Sequence, residues 1–155
     1  MKVTVFGATG RTGSEVVRLA LDRGYNVVAF VRDSRKVSIE NSQLEVVQGE
    51  LNNKEALRAA LKGSDGVISA LGPTGKPSDA ELSDGIANIL FVMEECGIKR
   101  FVVLSTTSHQ DPLDKDGFRF RMRRDMIRRG RPLTYEQIVK YSRLVRDSNT
   151  DWTLV

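Results

Sequence analysis

A chain of 155 residues with 40% hydrophobic side chains is long enough for one domain with a buried core. Its single cysteine, Cys96, excludes an internal disulfide, and no run approaches the ~20 apolar residues of a membrane span. The net charge is +4, yet the segment from Arg119 to Arg131 holds seven arginines and one aspartate, a local +6 that leaves −2 for the rest. The basicity is one segment and not a coat spread over the protein, which disfavours nucleic acid as the main partner.

In chain order, the start MKVTVFGATG enters a strand pattern (Lys2 to Phe6) with no leader-like apolar region, so a cytoplasmic protein is expected. Further strands are expected over Asn26 to Val31, Leu44 to Gln48, Gly66 to Leu71, Arg100 to Ser105 and Trp152 to Val155. Between them run amphipathic stretches. Val16, Val17, Ala20 and Leu21 repeat at helical spacing before Gly24, and Ala56, Leu57, Ala60 and Leu61 do so before Gly63. A third helix, Ala80 to Cys96, carries Leu82, Ile86, Ile89, Leu90 and Met93 on one face, with Cys96 expected in inert core. A last helix, Tyr135 to Arg146, is expected to open after Thr134 as N-cap, with Ile138, Val139 and Val145 inward. The long connection from Thr106 to Leu133 is expected to hold a short helix that packs Phe118, Met122 and Met126. Alternation of strand and helix predicts an α/β fold: a single Rossmann-type domain, a doubly wound parallel sheet of about six strands with helices on both faces.

Three glycines at even spacing, Gly7, Gly10 and Gly13, stand between the first strand and the first helix. In that context Gly7 permits the tight turn, Gly10 allows a close backbone approach to a pyrophosphate, and Gly13 lets the helix pack on the strand. The helix N-terminus then faces the phosphates with its free N–H groups and dipole. No Gly-Lys-Ser/Thr ending follows, which disfavours NTPase chemistry. Just past the second strand, Arg32 suits a ribose 2′-phosphate, and Ser34, Arg35 and Lys36 add donors, so NADP is favoured over NAD. Asp33 is one step further on, and a shift of one residue would exchange the two roles.

Taken together, GATGRTG, VRD after strand two, QGE after strand three, SDGVISALG, IKRFVVLST and the terminal DWTLV resemble a known group. This is the atypical short-chain dehydrogenase/reductase superfamily, in its NAD(P)H-binding branch with the NmrA-like proteins and the biliverdin reductase B type of flavin reductases. The resemblance implies a phosphate loop of Gly7, Thr9, Gly10, Arg11, Thr12 and Gly13, with Arg32 on the 2′-phosphate. It implies Glu50 and Leu51 beside the adenine, where the group usually has Asp-Leu, and Ala70, Leu71 and Gly72 along the nicotinamide ribose. Ser105, Thr106 and Thr107 would face the nicotinamide, the first two as catalytic candidates and Thr107 as a cofactor contact. In this group the sixth strand continues into a substrate-covering segment. The sequence stops at Val155, so either the chain is truncated or the substrate wall is missing.

Typical members of the superfamily use a Tyr-x-x-x-Lys pair. Here Tyr135 and Lys140 are five apart, ~500° of helical turn, which puts them some ~140° apart around the axis. Tyr141 is followed four places on by Val145, so the standard dyad is absent. Hydride transfer to an acceptor such as a flavin or quinone needs no dedicated tyrosine if solvent supplies the proton. His109 is the lone histidine, either a proton donor or an ordinary loop residue, and no cluster has metal-ligand spacing. Three functions remain open: an NADP(H)-dependent oxidoreductase with a small planar acceptor; an NmrA-like redox sensor that contacts a protein through Arg119 to Arg131; and, ranked last, a nucleic-acid module built on RFRMRR.

Overall fold

The computed structural model describes residues 1–73, 81–106 and 117–155. Six strands form one sheet: β1 (Lys2–Phe6), β2 (Asn26–Val31), β3 (Leu44–Gln48), β4 (Gly66–Ser69), β5 (Arg100–Val103) and β6 (Asp151–Leu154). Every neighbouring pair is parallel, in the order β3-β2-β1-β4-β5-β6. The helices are α1 (Arg11–Asp22), α2 (Lys54–Leu61), α3 (Leu82–Glu95), α4 (Phe118–Gly130) and α5 (Pro132–Arg146), and Ser34–Lys36 forms a 3₁₀ turn.

The chain winds outward from β1 to β3, crosses back to β4, and winds outward again the other way. With crossovers of one hand, that reversal puts helices on opposite faces. Alternation along the strands feeds both. Val3, Val5, Val27 and Ala29 pack with Val17, Ala20 and Leu21 of α1. Phe6, Val28 and Phe30 pack with Leu57 of α2, Ile86, Ile89 and Met93 of α3, and Ile138 and Val145 of α5. Buried Thr4 of β1 belongs to that second face, where its hydroxyl donates to the Ala60 carbonyl at 2.8 Å and meets the Ser64 hydroxyl at 2.7 Å. At the amino-terminal rim, Lys2 ties three segments together: its N–H donates to Asp65 Oδ2 at 2.7 Å, and its ammonium reaches Glu45 at 3.3 Å and the Lys62 carbonyl at 3.2 Å.

Several expectations change. The last helix opens at Pro132 with Arg131 as its cap, not after Thr134. Proline at the first helical position has its ring φ preset and gives up an N–H that would have had no partner there, so it outcompetes a threonine further in. The helix expected to be short is α4, 13 residues long, and only Arg131 separates it from α5. Its Phe118, Met122 and Met126 do not pack; they are 71, 60 and 67% exposed, because α4 turns the side of Phe120, Arg124 and Ile127 inward. Cys96 is exposed, since α3 ends at Glu95 and Gly97 at φ +70° turns the chain away.

Strands β4 and β5 also end earlier than expected, at Ser69 and Val103. Isolated backbone bonds carry the alignment slightly further: Ala70 N–H to the Phe6 carbonyl at 2.9 Å and Leu104 N–H to the Ser69 carbonyl at 2.9 Å.

Candidate functional site

The reversal of winding falls between β1 and β4, and in open parallel sheets ligands bind beyond the carboxyl ends of the strands at such a point. Gly7 lies at this point with φ +75°. A Cβ there would also stand 2.9 Å from the carbonyl carbon and oxygen of Ala70, so the loops after β1 and β4 touch through a missing side chain. The turn is closed by Gly10 N–H on the Gly7 carbonyl at 3.0 Å, and α1 follows with Ser14 N–H on the Gly10 carbonyl at 2.8 Å.

The three glycines are not equivalent. A Cβ on Gly13 would lie 2.0 Å from the Gly7 oxygen and 2.7 Å from its carbon, so no side chain fits. A Cβ on Gly10 would meet one atom, the same oxygen at 3.3 Å, and its φ of −78° is open to any residue. Packing therefore demands Gly13 and only mildly restrains Gly10. Gly10 is also the cap of α1, no side chain caps that helix, and its first turn has no acid. The leading N–H groups of a helix have no acceptor one turn back, and the dipole makes that end electropositive. Thr9, Gly10, Arg11 and Thr12 are exposed around it. Arrangement and charge fit a bound anion.

At the end of β2, Arg32 is exposed and makes no hydrogen bond or ion pair to the described residues, whereas Asp33 is half-buried and committed. Asp33 Oδ1 accepts from the Arg35 backbone N–H at 3.1 Å and from its Nε at 2.9 Å, while Oδ2 accepts from Nη2 at 3.1 Å. The Arg35 guanidinium holds the Asp33 carboxyl below its usual range. Gln48 of β3 pins the same turn, accepting from the Ser34 hydroxyl at 2.9 Å and its N–H at 3.3 Å.

Beyond β3, Glu50 is exposed, but the Leu51 side chain is directed onto α3. A Cβ on Gly85 of α3 would come within 2.6 Å of Leu51 Cδ1, and Asn88 of α3 donates to the Leu51 carbonyl at 3.0 Å. Gly49 is cleared too, since a Cβ there would stand 2.7 Å from the Ala56 Cβ. Sequence reasoning named Glu50 and Leu51 but not Gly49, Gly85 or Asn88, which fix where that loop lies. Ala70 and Leu71 are half-buried against Gly7, and Gly72 is exposed.

Ser105 follows β5 and is held from two directions. Its N–H donates to the Val155 carbonyl at 2.7 Å, and its hydroxyl meets that of Ser142 on α5 at 3.2 Å. Next to Ser142, Tyr141 is 1% exposed and its hydroxyl donates to the Leu104 carbonyl at 3.2 Å. Burial pushes the Tyr141 phenol up from its ordinary value of 10.0, and a hydrogen bond with Ser105 pulls the other way. The tyrosine that reaches the strand end is thus Tyr141. Lys140 is paired instead with Asp84 of α3 at 3.1 Å. Thr106 is exposed and makes an interaction of its own; Thr107 and His109 lie outside the described residues. Among the described residues no group of His, Cys, Asp and Glu could hold a metal ion, and no helix is long and apolar enough to cross a membrane.

A family model described as NAD(P)H-binding matches residues 7–155. The photosystem II assembly factor Ycf39 of Synechocystis is 34% identical over 111 residues, 68% of this chain and 33% of that protein. A (4-alkanoyl-5-oxo-2,5-dihydrofuran-3-yl)methyl phosphate reductase of Streptomyces griseus is 28% identical over 153 residues, 99% of this chain and 46% of that protein. The chain therefore spans a third to a half of the length of these relatives. The solved structure of ChuY, an anaerobilin reductase from Escherichia coli O157:H7, superposes with a TM-score of 0.77 at 18% identity, covering 99% of this chain and 71% of that one. It shares the fold.

The unequal glycines and the buried phenol can each be checked. Gly13→Ala is expected to destabilise the protein by on the order of 3 kcal/mol through overpacking, while Gly10→Ala stays within about 1 kcal/mol; urea midpoints compare them. For Tyr141, the folded state holds the phenolic proton more tightly than the unfolded chain. Its contribution is complete below about pH 10 and is lost as pH rises through the folded value. Denaturation at stepped alkaline pH is expected to show that slope in the wild type and its loss in Tyr141→Phe, which at neutral pH costs about 1 kcal/mol.

Proposed function

Because the chain belongs to the NAD(P)H-binding family whose model spans residues 7–155, we propose that it is an NADP(H)-dependent oxidoreductase of the flavin or quinone reductase type, acting on a small planar acceptor. The observation that carries this reading is the uncapped, acid-free start of α1 at the carboxyl end of β1, with exposed Arg32 on the neighbouring strand end. The N–H groups after Gly10 hold the pyrophosphate, helped by Thr9, Arg11 and Thr12. Arg32 takes the 2′-phosphate, which favours NADP over NAD. Glu50 and the Leu51 backbone border the adenine, and Ala70, Leu71 and Gly72 border the nicotinamide ribose.

When bound, the dinucleotide supplies the hydride. The chain's own part is orientation. Ser105, fixed by Ser142 and the β6 end, presents its hydroxyl at the ring with Thr106 beside it, and Thr107 adds a cofactor contact. Lys140 is engaged with Asp84, so no lysine–tyrosine pair donates a proton and solvent serves an acceptor that takes one readily. The Streptomyces relative, a reductase by name, supports the reaction class. Calorimetry is expected to give tighter binding of NADPH than NADH, and FMN or a soluble quinone is expected to drive loss of NADPH absorbance. Ser105→Ala should lower kcat roughly tenfold with little change in dinucleotide affinity. No heat with either dinucleotide would overturn the reading.

A second reading, a non-catalytic redox sensor that contacts a protein, is favoured by one observation: the exposed row Phe118, Met122 and Met126 lies on α4 among the arginines of Arg119 to Arg131. Apolar, methionine-bearing helix faces are adaptable docking surfaces, and the Synechocystis relative is named as an assembly factor. On this reading NADPH binds without turnover over a broad acceptor panel. A partner is then recovered in one redox state of the dinucleotide and lost with Phe118→Ser plus Met122→Ser.

A further inference from the structure

Two neighbouring residues at the end of β2 have opposite preferences for a ribose. An arginine attracts a 2′-phosphate; a carboxylate accepts from a 2′-hydroxyl and repels a phosphate. The chain has both, Arg32 and Asp33, on a turn pinned by Gln48. What distinguishes them is their commitments. Arg32 extends into solvent with no partner among the described residues. Asp33, its side chain 26% exposed, has both oxygens engaged by the Arg35 fork at 2.9 and 3.1 Å and one of them also by the Arg35 N–H at 3.1 Å.

We infer that Arg35 is a coenzyme-discriminating residue: by closing on Asp33 it withholds the one carboxylate at this strand end from a ribose diol and cancels its repulsion of a 2′-phosphate. The inference rests on the dinucleotide reading above but goes beyond it, because it gives the preference to a pair within the protein and not to Arg32 alone. The local chain builds the pair. Asp33 caps the 3₁₀ turn Ser34–Lys36, so its carboxylate is held over the Arg35 backbone N–H. From there the arginine side chain folds back onto the same carboxylate, and a planar fork matches two oxygens as no lysine can. Arg35 itself is 88% exposed, so the pair is a surface one and its influence is modest. Asp33 is also held below its usual carboxyl range by that contact, so the pair stays ionised through ordinary assay conditions.

The test is a matrix of dissociation constants for NADPH and NADH with the whole chain, in wild type, Arg35→Gln, Arg35→Lys and Arg35→Gln/Asp33→Asn. Opening the pair is expected to tighten NADH roughly fivefold in Arg35→Gln, the scale of one exposed ion pair, and to weaken NADPH. The double variant should lose the gain for NADH, because the freed carboxylate is gone, and Arg35→Lys should fall between wild type and Arg35→Gln. If Arg35→Gln weakens NADPH but leaves NADH unchanged, Arg35 is only a phosphate contact and the inference is overturned while the reading beneath it stands. The same holds if neither constant moves. If the wild type binds neither dinucleotide, both fall together. Because Arg35 is exposed, loss of fold is not expected, and far-ultraviolet circular dichroism of each variant separates that case.

Discussion

The Gly7 carbonyl oxygen is the point on which this molecule is assembled. It accepts from Gly10 to close the first turn, and it lies where a Cβ of Gly13 would have to be, so the first turn of α1 rests directly on the backbone that leaves β1. On the other side, Gly7 lies against Ala70 and so brings together the loops on either side of the winding reversal. One atom and two absent side chains, those of Gly7 and Gly13, therefore set the spacing between a helix and two strand ends. Because α1 approaches so closely, its first N–H groups lie at the carboxyl ends of those strands.

Around that point the site is held mainly by commitments between residues distant in sequence. Asn88 and Gly85 of α3 decide where Leu51 goes, Gln48 of β3 decides where Ser34 goes, and Ser142 of α5 meets the hydroxyl of Ser105. Each ties a loop at the carboxyl ends of the strands to a regular element. The loops that would contact a ligand are thereby placed by the rigid scaffold, the arrangement that pre-organised sites require.

The fold is legible in the sequence because its signals are local and periodic. Runs such as VTVF and NVVAFV alternate between faces, and Gly24, Gly63 and Gly97, all at positive φ, close α1, α2 and α3. The glycine turn is legible for the same reason. Pairings across long separations are not: Tyr141 with Leu104, 37 residues apart, looks in the sequence only like a failed motif. The start of α5 escapes a reading by residue type because Thr134 is a good cap, while the preset ring of Pro132 acts from two residues earlier. For α4 the period of four is visible, but period alone does not say which side of a helix meets the core, and here the row Phe118, Met122 and Met126 is the outer one. Position alone does not separate Arg32 from Asp33 at the strand end; what their side chains hold does.

The clamp at Lys2 has a wider meaning. In a sheet whose strands all run one way, the two rims are chemically unlike. The rim where strands begin is stitched by Lys2 to Asp65, Glu45 and Lys62, and by Arg100 to Asp151. Ion pairs thus hold the strand starts in step at one pole, while the glycine turn and the uncapped start of α1 lie at the other, so a charge change at the first pole reaches the second only through the length of the strands.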